Sequence, residues 1–294
     1  MEHKHHHNET NYNKPFAIGI ILNVTFIAVE LFYGFVANSS ALIADAGHNA
    51  SDVLGLIFAW FAIWMASKKP NSRYSYGFKK STILISLLNA LLLFAAVIFI
   101  AWDAIGKFTN PEPIGGTQVM VVAAIGVIIN TFTALLFIRG QKDDLNIKGA
   151  FLHMAADAGV SLGVVIAGLL IKITGALWFD PIMSFIIILV ILWGTWSLFI
   201  ESINLALDGV PRNVDYNKVK QSILEIEQVI SIHDLHIWAL STNENVLSAH
   251  IVSNQTNNEL LLNKIKTILS DNYNLHHVTI QIENEETNMT CNPC

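Results

Sequence analysis

Apolar residues in this 294-residue chain gather into six blocks, roughly 16–37, 41–66, 81–103, 117–138, 148–172 and 181–206, separated by short polar segments. About 20 apolar residues suffice for a helix to cross the hydrocarbon of a bilayer. The pattern therefore predicts six membrane-spanning helices. Gly159, Gly163, Ala167 and Gly168 recur in the fifth block, where small side chains let a neighbouring helix approach closely. From about residue 209 the periodicity becomes that of a soluble fold. Val214–Glu227 and Glu259–Asn272 read as helices. Ile230–Ala239, Val246–Val252 and Val278–Glu283 read as strands. This αββαβ order predicts a small sheet with helices on one face. The first 15 residues are polar and His-rich, and are expected to stay disordered until something binds them.

Composition sharpens this picture. The chain is 53% apolar and only 14% charged, against about a quarter charged in an ordinary soluble domain. Counted over 16–66, 81–103, 117–138, 150–171 and 181–206, the apolar blocks hold six charged residues: Glu30, Asp45, Asp52, Asp103, Asp157 and Glu201. The N-terminal segment and the second and fourth loops carry Lys4, Lys14, Lys68, Lys69, Arg73, Lys79, Lys80, Arg139, Lys142 and Lys148, while the opposite side carries Lys107 and Lys172. Lys and Arg accumulate on the cytoplasmic side, so both termini are expected in the cytoplasm. A net charge of −6, with acids in excess after residue 208, gives no nucleic-acid footprint and favours cations as partners. Two cysteines at the extreme end exclude a disulfide framework. No signal-peptide pattern opens the chain, so no cleaved leader is expected.

The buried charges have a pattern of their own. His48-Asn-Ala-Ser-Asp52 lies in the second block and His153-Met-Ala-Ala-Asp157 in the fifth. An i, i+4 spacing puts both side chains of each pair on one helix face. At 1.5 Å per residue, Asp52 lies about 16 Å along its helix, and Asp157 reaches a similar depth from the other side. A single such pair is most simply a packing hydrogen bond. Two, each costing about 2.5–3.5 kcal/mol per ionisable group at the bilayer centre, call for a shared partner. A dication supplies it, and two imidazoles with two carboxylates suit tetrahedral Zn²⁺. Asp45, one turn before His48, is a candidate to orient a ligand or pass a proton. Glu30 and Glu201 are read as structural or proton-accessible acids.

Other functions fit less well. A metalloprotease would want HExxH, and neither intramembrane histidine is followed by Glu. Four protein ligands also leave no open position for a catalytic water, so no enzyme is expected. No GxxxxGK[ST] loop marks a primary pump. A membrane-anchored zinc sensor would not need four ligands at midplane depth.

These residues resemble the cation diffusion facilitator family, the zinc-transporter type in particular. Glu30 with Gly34, Ser40 through Asp52, Ser75-Tyr-Gly-Phe78, Gly149 through Asp157 and Asp180-Pro-Ile carry the likeness in the membrane part. His233 through Trp238, Leu247 through His250 and His276 through Glu283 carry it in the tail. The resemblance implies a polytopic six-helix membrane protein with a C-terminal α+β, ferredoxin-like or metallochaperone-like cytosolic domain. It implies a homodimer that exports Zn²⁺ in exchange for protons by alternating access. Its transport ligands would be His48, Asp52, His153 and Asp157. Its cytosolic zinc ligands would be His233, His250, His276 and Glu283, with His236 and His277 structural. Cys291 and Cys294, with a histidine of the N-terminal run such as His5, would form a third site in the tails. Lys80 and Asp208 take the places of a Lys–Asp contact near the inner surface. Phe78 stands where some relatives have a metal-binding histidine, so that site is expected to be absent, and Thr82 replaces an acid of the third helix. The expected organisation is an N-terminal tail over 1–15, a transport domain over 16–208 and a zinc-binding dimerisation domain over 209–294. The short fourth loop, Arg139–Ile147, suggests a bacterial inner membrane as the location.

Overall fold

The computed structural model describes residues 13–138, 145–254 and 258–284. Six long helices come first: α1 (Asn13–Val36), α2 (Ser40–Ala66), α3 (Ser81–Thr109), α4 (Gly116–Phe137), α5 (Leu145–Thr174) and α6 (Phe179–Ala206). Then follow α7 (Tyr216–Leu224), β1 (Val229–Ser241), β2 (Glu244–Ser253), α8 (Asn258–Tyr273) and β3 (His277–Glu283). Helices α2 to α6 are long and apolar enough to cross a membrane, with mean hydropathy between 1.4 and 2.9. In α1 the apolar stretch Ile21–Val36 is shorter. Large apolar side chains point outward along these helices, with Trp193 86% and Trp102 80% exposed. Lipid, not water, suits such a surface.

The chain forms two compact units, one from the residues up to Leu56 with Leu92–Thr195, the other from Ile57–Leu91 with the residues from Trp196 onward. In the first unit Phe26, Leu42, Val119, Ala123, Val164 and Ile187 form a shared core. Helices α4 and α5 meet backbone to backbone. A Cβ added at Gly168 would lie 2.8 Å from the Met120 nitrogen, and one at Gly116 3.1 Å from the Gly168 carbonyl. Gly163 abuts Met183 of α6, whereas nothing lies within 4 Å of a Cβ at Gly159. The small-residue stripe thus packs through Gly163, Ala167 and Gly168, and Gly159 is left out of it. The start of α2 is fixed by Asp180 of α6, which is fully buried. Its carboxylate accepts the Ser40 N–H at 2.7 Å and the Ser39 hydroxyl. An anion at a helix N-terminus satisfies orphan donors and favours the helix dipole. Ser39 in turn accepts the Leu42 N–H at 3.1 Å.

In the second unit β1 and β2 are an antiparallel hairpin, and β3 lies parallel to β2 after a crossover through α8. Helix α7 begins at Asp215, whose side chain accepts the Asn217 and Lys218 N–H groups. The Lys218 N–H is the main reason the Asp215 carboxyl is held below the ordinary carboxylate range. This stabilisation is present above the unfolded pKa, about 3.9, and is lost as pH falls through the lower folded value. Leu247, Ala249 and Ile251 of β2 face Val219 and Ile223 of α7 and Leu261, Ile265 and Leu269 of α8. The alternation of a strand then sends His250 to the other face, and His233 pairs with it directly across the hairpin. A register shift between His233 and His236 contains Asp234 at a φ of +50°. It lets Ile232, Leu235 and Ile237 all reach the core.

The α4–α5 contact yields a test. Gly168→Leu forces side-chain atoms into the α4 backbone, and overpacking of this kind costs about 1–3 kcal/mol. Gly159→Ala meets nothing and removes a flexible helix residue, a gain of up to about 1 kcal/mol. Thermal unfolding in detergent should show the first variant melting lower than the parent and the second at or above it.

Candidate metal centres

Among the described residues, two clusters bring three or more potential ligand atoms within 4.8 Å of one another: His48, Asp52 and Asp157, and His233, His250 and Glu283.

The first cluster is built by α2 and α5. His48 Nε2 lies 3.4 Å from Asp157 Oδ1 and 4.0 Å from Asp52 Oδ2. His153 Nε2 lies 3.2 Å from Asp52 Oδ2 and 3.7 Å from Asp157 Oδ2. Each imidazole thus approaches the carboxylate of the opposite helix more closely than its own i+4 partner. The two rings stand edge to face, 6.4 Å between centroids. Asp157 is almost wholly buried, with 4% of its side chain exposed, while His153 keeps 42%. Asp52 Oδ2 is shielded from solvent, with His153 Nε2 at 3.2 Å and His48 Nε2 at 4.0 Å. A shielded carboxylate oxygen facing two imidazole nitrogens is chemically suited to a cation.

Acids lie beside this cluster on the same unit. Asp45 and Glu30 are both fully buried. Asp45 Oδ2 accepts the Ser161 hydroxyl at 2.9 Å. Glu30 Oε2 accepts a hydrogen bond from Asn49 Nδ2 at 3.3 Å. Asp103 is paired with Lys107 at 3.0 Å and accepts the Ser40 hydroxyl.

The second cluster lies on the strand face opposite the helices. Glu283, 6% exposed, closes it from β3. Its Oε2 is 3.1 Å from His233 Nε2, and its Oε1 is 2.9 Å from His250 Nδ1. The two imidazole rings are 5.2 Å apart. Two imidazoles and a carboxylate are donors that fit a zinc-type ion. His276 stands apart from them, bonded to Ser270 and to Asn274 at 3.0 and 2.7 Å. Asp234, missed by the motif reading, lies 3.8 Å from His250 Nε2 and 2.9 Å from His236 Nε2. Its contact with His236 holds its carboxyl below the ordinary range. The signal available in sequence was an acid flanked by two histidines in the run His233-Asp-Leu-His236. His277 stands edge-on to Tyr76, with 5.5 Å between ring centroids. Cys291, Cys294 and His5 lie outside the described residues.

Near the α3 and α6 ends, Lys80 Nζ meets Asp208 Oδ1 at 2.6 Å, with both groups exposed. Lys79 Nζ meets Glu244 at 2.6 Å, and Thr82 Oγ1 accepts the Thr242 N–H at 3.0 Å. Glu201 pairs with Arg212 at 2.6 Å.

Comparison with known proteins agrees with this chemistry. Residues 16–205 match the cation efflux transmembrane domain, and residues 211–285 match the cation efflux protein cytoplasmic domain. The chain is 34% identical over 290 residues to the cadmium, cobalt and zinc/H(+)-K(+) antiporter of Bacillus subtilis, covering 97% of this chain and 93% of that one. It is 36% identical over 283 residues to the metal cation efflux system protein CzcD of Cupriavidus metallidurans, covering 96% and 89%. It is 33% identical over 291 residues to the zinc transporter ZitB of Escherichia coli, covering 96% and 93%. A solved structure, the metal-bound C-terminal domain of CzcD from Cupriavidus metallidurans, is 40% identical, covers 24% of this chain and 99% of that one, and has a TM-score of 0.23. The chain belongs to the cation efflux family of integral membrane transporters, proteins that move metal cations rather than catalyse reactions.

Proposed function

We propose that this protein exports Zn²⁺, and with it Cd²⁺ and Co²⁺, from the cytosol in exchange for protons, as a homodimer working by alternating access. The observation that carries the reading is the meeting of His48, Asp52, His153 and Asp157 across α2 and α5. Two imidazoles and two carboxylates form a tetrahedral set for Zn²⁺ whose two negative charges balance the ion. Holding the metal requires neutral imidazoles and ionised carboxylates, so protons and metal compete for the same atoms. Histidine titrates near neutrality, which makes protons arriving from the far side effective in releasing the ion.

The matched cytoplasmic domain supports dimerisation and a resident zinc at His233, His250 and Glu283, with His276 assigned to the same site and Asp234 beside it. Cys291, Cys294 and His5 are assigned to a further metal site of the tails. The proposed organisation is a tail over 1–15, a transport domain over 16–208 and a zinc-binding dimerisation domain over 209–294. Lys80 and Asp208 are assigned to the dimer or gate contact, and Asp45 to orienting a ligand or passing protons. The Lys and Arg asymmetry of the loops supports cytoplasmic termini, and the bacterial relatives support an inner-membrane location.

Purified protein in liposomes is expected to take up Zn²⁺ when a pH gradient is imposed. Asp157→Ala should reduce uptake to that of protein-free vesicles while the dimer persists in size-exclusion chromatography. Unchanged uptake by this variant would sink the site assignment. In the full-length protein, His250→Ala should lower bound zinc by about one ion per protomer and leave liposome uptake in place. Equal zinc content in variant and parent would count against the cytosolic site.

A further inference from the structure

Asn130 of α4 is fully buried, and neither its amide oxygen nor its amide nitrogen has a hydrogen-bond partner. An amide in apolar surroundings without a partner is costly, and polar groups within membrane bundles mark ion pathways. Helix register fixes where Asn130 lies. Helices α4 and α5 pack antiparallel: a Cβ at Gly116 would meet the Gly168 carbonyl at 3.1 Å, and one at Gly126 would meet the Ser161 hydroxyl at 3.2 Å. Four residues on along α4 from Gly126 is Asn130. Four residues back along α5 from Ser161 is Asp157. Residues four apart share a helix face, so Asn130 is level with Asp157, the most buried of the four ligand side chains.

Resting on the assignment of the transport site to His48, Asp52, His153 and Asp157, we propose that Asn130 Oδ1 is a further ligand to the transported ion, one that sets acceptance of Cd²⁺ and Co²⁺ relative to Zn²⁺. Two imidazoles and two carboxylates complete a tetrahedral shell for Zn²⁺. Co²⁺ and the larger Cd²⁺ take more donors readily, and geometry rather than raw affinity decides selectivity at such sites. The two carboxylates already neutralise a dication. A fifth donor in lipid must therefore be neutral, since one more carboxylate would leave a buried net charge. An amide oxygen meets that requirement. Its unpaired state fits a ligand recruited only by ions that need more than four donors.

The test uses the full-length protein in liposomes under one imposed pH gradient, with Zn²⁺, Cd²⁺ and Co²⁺ supplied separately. Asn130→Leu removes an unpaired buried amide, so its melting temperature should match or exceed the parent's. Asn130→Ala guards against a leucine that packs badly, and Asn130→Gln retains an amide oxygen. For Leu and Ala, Zn²⁺ uptake should stay within about twofold, while kcat/KM for Cd²⁺ and Co²⁺ falls about tenfold or more, as for loss of a group that tunes a metal site. Gln should recover part of the Cd²⁺ and Co²⁺ transport. An equal fall for all three ions, the mark of a packing role, overturns the proposal, as do unchanged ratios. If Asp157→Ala in the same assay leaves uptake of all three ions intact, the site assignment fails, and this proposal with it.

Discussion

Two carboxylates in the membrane interior have to be matched by positive charge, and the membrane part of this protein is arranged around that requirement. Asp52 and Asp157 sit on different helices and face both imidazoles, His48 and His153. The arrangement holds only if α2 and α5 keep their relative height. On α2, Asp180 clamps the first turn through Ser39 and Ser40. On α5, the close glycine contacts with α4 fix the level. Each device sets where a member of the candidate site stands. A shift of one turn, about 5.4 Å, would separate the four groups.

The two candidate metal clusters gather similar side chains with different backbone geometry. In the membrane, helix periodicity puts His and Asp on one face at i, i+4. In the cytosolic domain, strand alternation puts His250 on the face away from the core, and cross-strand pairing brings His233 beside it. Glu283 arrives from the far end of β3 because β3 runs parallel to β2 and is displaced by the α8 crossover. Its two oxygens then engage one histidine each.

What could be read from the chain divides along the same lines. The five apolar helices α2 to α6 and the αββαβ order were legible because hydrophobic runs and period-two alternation are local. The two HxxxD pairs were legible because helix spacing fixes which residues share a face. That His48 approaches Asp157, and His153 approaches Asp52, was not, since this depends on packing between helices. Asp234 was missed because a register shift, invisible to strict alternation, carries it back toward His250. Gly159 fitted the small-residue stripe by spacing alone, yet meets no neighbour. The grouping of His276 with His233 and His250 came from family resemblance, since its side chain bonds Ser270 and Asn274 and no local pattern links it to them.

The central claim is that transported Zn²⁺ is held by two imidazoles and two carboxylates. X-ray absorption at the zinc edge, on zinc-loaded protein carrying His233→Ala, His250→Ala, Glu283→Ala, Cys291→Ser and Cys294→Ser, isolates the membrane site from the cytosolic and tail sites. The spectrum should show a four-coordinate shell of nitrogen and oxygen, with the outer-shell scattering of two imidazoles. A sulfur shell, or a shell without imidazole, would contradict the account.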